Sequence, residues 1–527
     1  MVELTALLGV AALAHGIAYY LKVPPVPFLL LGGVALGLAG FLADPDYVED
    51  VLLLALTLLL FIAGSDLSVR RVGEYKRLAA KIGAVQFVAL AGLGLGLAVL
   101  LGYVLIDALY LALALAASST LVVMRLLAKR RQTFEPFGRV TTGVLLLQDL
   151  LIVVMIPVVT LLPDGGVAVA AGVGGTALLL GLTYLMVQYI APFLIVRLEL
   201  DTESLLLVVV SVLFAFMGAA YLLSVPLIAA AFLAGVSLSG FPVSNLVHGE
   251  LRPIADFFIA IFFTALGTVI VAIDLTGFFH ALLFAALVVI VTPPLVTLIA
   301  ERAGLSARSS LESGLLLSQT SEFSLLVGLQ GLLLGQISQS LFTIIALTTV
   351  LTMILTPILS SERVVWRLIR LHPLRTRGRP KRIPRNHVLL LGGSETVLPL
   401  LETLHLSGEK VLVVDEDPGI VSQLRAEDIA CMRGDVGDPE VLKAAGATTA
   451  RIIISTISRP RSVRPVFDLA REAPVLVRVF EKDEEEQVKK WGGTPISFSD
   501  AAAEDVLQWF DQQQAHEGSA PAPAYQL

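Results

Sequence analysis

Long apolar runs separated by short polar connections fill the first 360 residues of the chain. An α-helix needs about 20 predominantly apolar residues to cross the hydrocarbon core of a bilayer. We therefore predict a polytopic α-helical membrane domain over residues 1–360, with about thirteen transmembrane helices. The predicted spans are 3–22, 25–42, 48–67, 80–104, 107–128, 139–162, 167–196, 203–222, 226–240, 254–275, 278–300, 309–334 and 337–359.

The pattern changes after residue 360. Residues 361–385 form a basic linker, whose composition suits the anionic lipid of a cytoplasmic leaflet. Residues 386–511 begin with the order strand, Gly-rich turn, helix, strand and continue with further short apolar runs. This order predicts an α/β, Rossmann-like domain with a parallel sheet. The composition of residues 512–527 is typical of a disordered tail.

Basic residues concentrate in alternate connections between the predicted spans. The connections after the third, fifth and eleventh spans carry Lys and Arg, whereas intervening connections carry Asp44, Asp164 or Asp274. Basic connections face the cytoplasm. We therefore predict a multi-pass protein with the N-terminus outside and, after thirteen spans, a cytoplasmic C-terminal domain.

Composition narrows the class of protein further. The chain is 56% hydrophobic and only 15% charged, against about 25% charged residues in a soluble domain, and its mean hydropathy is +0.84. A net charge of −7 argues against a nucleic-acid partner. The single cysteine, Cys431, excludes an internal disulfide, and the histidines lack metal-ligand spacing. We predict no tightly bound metal.

One carboxylate lies in the middle of an apolar run. The stretch TGVLLLQDLLIVVMIP (142–157) places Gln148 and Asp149 at the centre of the sixth predicted span. A charge there costs about 2.5–3.5 kcal/mol on insertion scales, so such residues are usually paired or functional. Asp149 is either a structural acid paired with a neighbouring helix or a site that holds a proton or a monovalent cation in turn. The neutral Gln148 leaves one acid in this pair, which fits one-for-one, electroneutral exchange.

Two other spans contain polar interruptions. The fifth span contains Ser118, Ser119 and Thr120, and the twelfth contains Gln319 and Glu322 among small hydroxyl residues. Hydroxyl side chains at this depth can simply satisfy a helix kink. However, matching interruptions in spans 1–6 and 8–13 indicate a binding site between inverted repeats. Glu322 is either a second titrating group or a structural partner of a half-helix N-terminus.

Several motifs in order along the chain resemble the monovalent cation:proton antiporter-2 family. Within it, the chain is most similar to potassium:proton antiporters with a C-terminal nucleotide-binding regulatory (RCK/TrkA-N-like) domain, such as the glutathione-gated potassium efflux systems. The motifs are VPPVPFLLLGGVALG (23–37), LFIAGSDLSVRR (60–71) with Asp66 at the usual Glu, ALAASSTLVVMRLL (114–127), the Gln-Asp motif LLQDLLIVVMIP (146–157), VPLIAAAFLAGVSLS (225–239), FFIAIFFTALGTVI (257–270) and LLLSQTSEFSLLVG (315–328).

The resemblance implies a homodimer in a prokaryotic inner membrane, with crossed, broken helices in a core that moves as an elevator. It implies that Asp149 is the transporting carboxylate and holds the cation, with Gln148, Ser119, Thr120 and Gln319 near the ion path. Many members have a Lys in span eleven, where this chain has Thr292 and two prolines. An accessory regulatory subunit is compatible with the resemblance.

The resemblance also implies a nucleotide site in the C-terminal domain, made by Gly392, Gly393, Ser394, Asp415 and Asp435. The full fingerprint is G-x-G-x-x-G, but this chain has only the first glycine, with Ser394 and Val397 at the later two positions. Asp415 lies where a ribose-binding acid belongs, and GDVGDPEVLKAAG (434–446) resembles another family stretch. We therefore expect an adenine nucleotide (AMP, ATP or NAD(H)), or a domain kept only for dimerisation and docking.

The sequence predicts a potassium:proton antiporter rather than an enzyme. A sodium:proton antiporter is the alternative within transport, since only ion competition separates the two. A ligand-gated potassium channel is a second alternative, although a carbonyl-ring filter sequence such as TVGYG is absent from the chain. A membrane redox enzyme would need an intact glycine turn and a second cofactor site.

Overall fold

The computed structural model describes residues 2–21, 25–40, 45–65, 75–130, 132–133, 135–193, 202–240, 257–370, 386–393, 397–427, 429–457, 460–470 and 473–497. The chain divides into two compact units, Met1–Ala303 with Ser309–Leu368, and Gly304–Arg308 with Ile369–Leu527. Asp66, Ser394, the linker from residue 371 to 385 and everything after residue 497 lie outside the described residues.

The membrane unit is helical. Among the described residues, seven helices are long and apolar enough to cross a membrane, and six shorter apolar helices accompany them. The polytopic helical architecture predicted from the apolar runs is therefore confirmed. The helices are α1 (Val2–Leu21), α2 (Pro25–Leu38), α3 (Pro45–Ser65), α4 (Lys76–Leu100), α5 (Leu105–Ala116), α6 (Thr120–Lys129), α7 (Pro136–Thr160), α8 (Gly166–Leu185), α9 (Thr202–Leu222), α10 (Leu227–Ser237), α11 (Phe257–Thr268), α12 (Leu275–Arg302), α13 (Ala307–Leu316), α14 (Glu322–Leu333), α15 (Gln339–Leu359) and α16 (Glu362–Arg370).

Two of the spans are broken near their centres. Between α5 and α6 the backbone is extended, with φ −118° and ψ 153° at Ala117. Residues 317–321 interrupt the helix between α13 and α14, with a turn at Leu317 and an extended backbone at Ser321. Ser119 and Ser321 then cap the second halves, because each side chain accepts a hydrogen bond from a first-turn amide. Both interruptions predicted from the hydroxyl clusters are present.

Two backbone-to-backbone crossings reveal an internal repeat. A methyl group added at Gly235 of α10 would overlap the Phe61 carbonyl of α3, and one added at Gly33 of α2 would overlap the Thr264 carbonyl of α11. Only glycine lets helices approach this closely. VPPVPFLLLGG (23–33) and VPLIAAAFLAG (225–235) match around Gly33 and Gly235. Since α2 corresponds to α10 and α3 to α11, the crossing of α3 with α10 is the counterpart of the crossing of α11 with α2.

The C-terminal unit contains a six-stranded parallel sheet. The strand order is β3-β2-β1-β4-β5-β6, and the central strand β1 pairs with both β2 and β4. This order is that of a doubly wound Rossmann fold, as predicted. The strands are β1 (Val388–Leu391), β2 (Val411–Asp415), β3 (Cys431–Arg433), β4 (Ile452–Ser455), β5 (Val475–Val479) and β6 (Thr494–Ser497), and the helices are α17 (Leu398–Leu406), α18 (Pro418–Ala426), α19 (Pro439–Ala444), α20 (Arg464–Leu469) and α21 (Lys482–Lys490).

The sequence patterns of the sheet have clear causes. All four residues of β1 are buried, as expected for a central parallel strand covered on both faces. β5 alternates between buried and partly buried positions, and β6 between exposed and partly buried ones. This weaker signal is why β5 and β6 do not stand out as individual strands in the sequence. The segment that follows α15, which the sequence assigns to the linker, begins with the helix α16.

Candidate functional site in the membrane unit

The predicted transporting acid lies in the middle of α7. Asp149 is 3% exposed, and its neighbour Gln148 is completely buried. The Asp149 Oδ2 atom accepts a hydrogen bond of 2.7 Å from the hydroxyl of Thr120, the first residue of α6. The other carboxylate oxygen, Oδ1, is buried and has no hydrogen-bond partner. A buried carboxylate with one unsatisfied oxygen is a site for a proton or a cation.

Gln148 holds the extended break between α5 and α6. Its Oε1 atom accepts a hydrogen bond of 3.0 Å from the backbone amide of Ser118. The remaining Nε2 group is buried without a partner. Because Nε2 is a donor, it cannot ligate a cation. In this geometry Gln148 fixes the backbone beside Asp149, and its Oε1 atom already accepts one hydrogen bond.

Ser118 joins the two broken helices. Its hydroxyl donates to the carbonyl of Leu317, at the break between α13 and α14, over 2.8 Å. Ser324, one turn into α14, donates to the carbonyl of Ala114 at the end of α5. The two breaks therefore meet, and each supplies hydrogen bonds to backbone groups that the other leaves open.

Glu322 lies at two helix N-termini at once. It is the first residue of α14, and its Oε1 atom accepts a hydrogen bond of 3.1 Å from the Leu121 amide in the first turn of α6. A negative charge there is favourable because both half-helices direct their positive ends toward it. The second oxygen, Oε2, is buried without a partner.

The polar residues of the second break differ in their contacts. Thr320 is held by α15, because its amide and hydroxyl are each 3.1 Å from the Thr352 hydroxyl, and its hydroxyl is also 3.1 Å from that of Thr349. Gln319 donates weakly to the Leu316 carbonyl over 3.5 Å, and its Oε1 is buried and unpartnered. Thr292 is buried in α12 with an unpartnered hydroxyl.

Gln86 belongs to this cluster, although the sequence analysis missed it. It lies in the middle of α4 and is completely buried. Its Nε2 atom donates to the Ser118 hydroxyl over 3.0 Å and to the Leu317 carbonyl over 3.4 Å. The signal was available, because an amide within the apolar run KIGAVQFVAL (81–90) is as unusual as Gln148 in its own span.

The cluster combines one acid held by a hydroxyl, a second acid held by helix ends, and freed backbone groups. Asp149 and Glu322 lie close enough to repel each other electrostatically when both are charged. Within this cluster of described residues, one buried oxygen each of Asp149, Glu322, Gln319 and Gln86 lacks a hydrogen-bond partner. Oxygen atoms of this kind can replace the hydration shell of a monovalent cation. The arrangement suits reversible binding of a small cation in competition with protons.

The C-terminal unit has a separate candidate nucleotide site at the end of β1. Gly392 has φ +97°, a conformation that favours glycine, and a methyl group there would lie 2.6 Å from the Thr456 hydroxyl oxygen. Val397, at the third fingerprint position, is buried against Leu390, Val413 and other core side chains. The third glycine normally allows close helix–strand packing, and a packed Val replaces it here.

Asp415, at the end of β2, is tied to this turn. Its Oδ2 atom accepts from the Gly393 amide and its Oδ1 atom from the Asp417 amide, each over 2.7 Å. Burial raises the pKa of the Asp415 carboxyl, and these amide hydrogen bonds partly offset the increase. Since a carboxylate has about four acceptor positions, two remain for ribose hydroxyls. Asp435 caps its own turn through the Gly437 amide over 2.8 Å.

Comparison with protein families assigns the membrane unit. Residues 4–361 match the model of the transmembrane sodium/hydrogen exchanger family, and residues 388–508 match the TrkA-N domain. The chain belongs to the sodium/hydrogen exchanger family. It is a polytopic cation/proton antiporter with a C-terminal TrkA-N domain. The predictions of a transporter rather than an enzyme, and of the family itself, are therefore confirmed.

Two curated relatives share this organisation along most of their length. The chain is 25% identical over 513 residues to the putative cation/proton antiporter YbaL of Escherichia coli (strain K12), covering 91% of each chain. It is 26% identical over 495 residues to the glutathione-regulated potassium-efflux system protein KefC of Enterobacter sp. (strain 638), covering 90% of this chain and 78% of that protein.

A solved structure has the same membrane fold. The sodium proton antiporter MjNhaP1 from Methanocaldococcus jannaschii aligns with 70% of this chain and 99% of its own, with a TM-score of 0.54 and 17% identity. The membrane unit of the present chain therefore has the same fold as this antiporter. An identity this low supports the fold alone.

Proposed function

We propose that the protein exchanges potassium for protons, one for one, at Asp149. The observation that carries the proposal is the Asp149 carboxylate, which is buried between two broken helices with Oδ2 held by Thr120 and Oδ1 free of any partner. Loss of a proton creates a negative charge that a cation can neutralise, and protonation releases the cation. Proton and cation therefore occupy Asp149 alternately.

The proposed stoichiometry follows from how the other polar groups are used. Gln148 is neutral, and its oxygen is already bonded to the Ser118 amide. Glu322 compensates the positive ends of α6 and α14, so we expect it to keep its charge through the cycle. One carboxylate then changes its occupant, and exchange of one proton for one monovalent cation moves no net charge.

The proposed movement is an elevator-type alternation of access in a homodimer. The two broken helices supply a site at mid-membrane depth, and the repeat seen in α2–α3 and α10–α11 supplies two related halves on either side of it. Charge bias in the connections supports an inner-membrane protein with its N-terminus outside and a cytoplasmic TrkA-N domain. Anionic lipid near the basic linker and an accessory subunit would be further partners.

The test of ion choice uses the purified protein in proteoliposomes with an internal pH dye. We expect potassium to collapse an imposed pH gradient at lower concentrations than sodium or lithium. A preference for sodium would make the protein a sodium:proton antiporter. Potassium flux without proton movement would indicate a channel and reject the proposal.

The test of stoichiometry imposes a membrane potential with a thiocyanate gradient in the same vesicles. We expect the exchange rate to stay unchanged for either sign of the potential, because no net charge crosses. A rate that rises for one sign and falls for the other would show that more than one proton or cation moves per cycle.

The proposed regulator is an adenine nucleotide in the TrkA-N domain, with Asp415 accepting the ribose hydroxyls. Ionised Asp415 accepts these hydrogen bonds more strongly than the protonated acid does, and burial raises its pKa. NAD(H) affinity should therefore be full above that raised pKa and fall as the pH decreases, beginning above the range near pH 4 where an ordinary aspartate titrates. Calorimetry on the full-length protein in detergent measures the profile.

The matched control for this prediction is Asp415→Asn, which keeps the size of the side chain and removes its titration. We expect weaker NAD(H) binding whose affinity no longer falls as the pH decreases toward the range where an ordinary aspartate titrates. A wild-type affinity that is independent of pH, or an unchanged profile in the variant, would contradict the assignment of Asp415. Absence of binding by NAD(H), AMP and ATP would leave the domain with a docking role.

A further inference from the structure

Gln86 is a buried amide that the proposed exchange cycle does not use. It lies on the face of α4 that also carries Gly83 and Gly94, which bring α4 close to α7 and α5. A methyl group at Gly83 would lie 3.0 Å from Leu147 of α7, and one at Gly94 would lie 2.8 Å from Leu115 of α5. The glycines therefore place the Gln86 amide directly against the site.

Gln86 reaches both helix breaks with a single group. Its Nε2 atom donates to the Ser118 hydroxyl over 3.0 Å and, more weakly, to the Leu317 carbonyl over 3.4 Å. The Ser118 hydroxyl donates in turn to Leu317, so the three groups form a closed triangle. Both breaks are thereby fixed to a continuous helix, α4, which is not itself interrupted.

The triangle is connected to the transporting acid through short links. The Ser118 amide is bonded to Gln148, which precedes Asp149 on α7. Thr120, two residues after Ser118, donates to Asp149. A displacement of Ser118 therefore changes the backbone contact of Gln148 and the position of the hydroxyl that faces the Asp149 carboxylate.

We propose that Gln86 is a positioning residue that holds the crossing of the two broken helices and so sets the geometry of Asp149. The inference rests on the proposed exchange at Asp149. The Gln86 Nε2 group donates to both breaks, and this donation is the proposed contribution of Gln86. The competing role is direct ligation of the cation through the Oε1 atom, which is buried without a hydrogen-bond partner.

Two substitutions separate positioning from ligation. Gln86→Leu removes the donors and the oxygen, whereas Gln86→Glu keeps an oxygen at this place and, when ionised, loses both donors. We expect both variants to lower the turnover of exchange about tenfold or more, because small misplacements of reacting groups are costly. The cation concentration for half-maximal rate should stay within about twofold of wild type.

Ser118→Ala tests the hydrogen bond between Gln86 and Ser118 by removing its acceptor. It removes the hydroxyl that Gln86 holds, and we expect the same loss of turnover. The double variant Gln86→Leu/Ser118→Ala should lose no more than either single variant, because contacting residues that act as one unit are not additive. Val88→Ala is the matched control, because Val88 lies on the same helix and is 69% exposed. We expect wild-type exchange from it.

The outcomes are distinguishable from a failure of the proposed function. If the wild-type protein exchanges no cation for protons, the proposed function is wrong. If the wild type exchanges normally, the positioning role is rejected by wild-type turnover in Gln86→Leu, by a raised half-maximal cation concentration with unchanged turnover, or by additive losses in the double variant. If Gln86→Leu is not recovered as a monodisperse protein, the turnover and the half-maximal cation concentration of Gln86→Glu and Ser118→Ala are tested against the same criteria.

Discussion

Asp149→Asn should abolish exchange while leaving the protein folded. The asparagine has the same shape, and its side-chain oxygen can still accept the hydrogen bond from Thr120. It cannot ionise, so it neither releases a proton nor balances the charge of a desolvated cation. Removing one partner of a buried charge pair costs about 3–5 kcal/mol, so we expect cation-dependent proton movement in proteoliposomes to fall at least about 100-fold.

The matched control is Asp164→Asn, the same chemical change at an exposed acid that follows α7. It should exchange like the wild type. If Asp149→Asn retains exchange and Glu322→Gln abolishes it, the transporting acid is Glu322 and the assignment made here is wrong. If both acids are required, thermal unfolding of each variant shows whether Glu322 acts by holding the N-terminus of α6.

Gly235→Ala should destabilise the membrane unit strongly. The added methyl group would overlap the Phe61 carbonyl oxygen, and a backbone atom cannot change rotamer to make room. Overpacking a core costs about 1–3 kcal/mol, and we expect the upper end or more here because α3 and α10 must separate. The expected result is a lower unfolding temperature in detergent and poor recovery of monodisperse protein.

Gly92→Ala in α4 is the control for this prediction. Its added methyl group has no heavy atom within 4 Å. Replacing a glycine inside a helix by alanine stabilises by about 0.5–1 kcal/mol, so we expect an equal or higher unfolding temperature. Gly33→Ala tests the repeat itself, since it meets the Thr264 carbonyl at the related crossing. It should be damaging to a degree similar to Gly235→Ala.

Much of the site is visible in the sequence because polar groups in hydrocarbon are rare. Gln148 and Asp149 interrupt an apolar run, and the hydroxyl clusters around Ser119 and Ser321 mark the two breaks. The contacts among them are not visible, because they join distant parts of the chain. Gln86 is 231 residues from Leu317, and Leu121 is 201 residues from Glu322. Only the packing of α4 and α6 against the second break shows which amide meets which carbonyl.

In the candidate nucleotide site, the sequence predicts the position of the residues, but it does not predict whether they can bind a nucleotide. The sequence locates the turn and Asp415, because the order strand, glycines, helix, strand is local. Whether the turn can accept a phosphate depends on packing. The sequence shows only that Val397 stands where the fingerprint has its third glycine. In the structure, the Val397 side chain fills the space between helix and sheet. The engagement of Asp415 with the Gly393 amide likewise depends on how β1 and β2 are aligned.

The glycine crossings have a consequence for how the protein can move. Where carbonyl oxygens rest directly on opposing Cα atoms, no side chain remains that could adopt a second arrangement, so α2, α3, α10 and α11 should behave as a stiff frame. Sliding requires a seam lined by side chains. One such seam is the edge-to-face contact of Phe232 on α10 with Phe323 on α14, whose ring centres are 5.6 Å apart. Phe323 directly follows Glu322, so a change of ring stacking there would carry the acidic end of α14 past the frame.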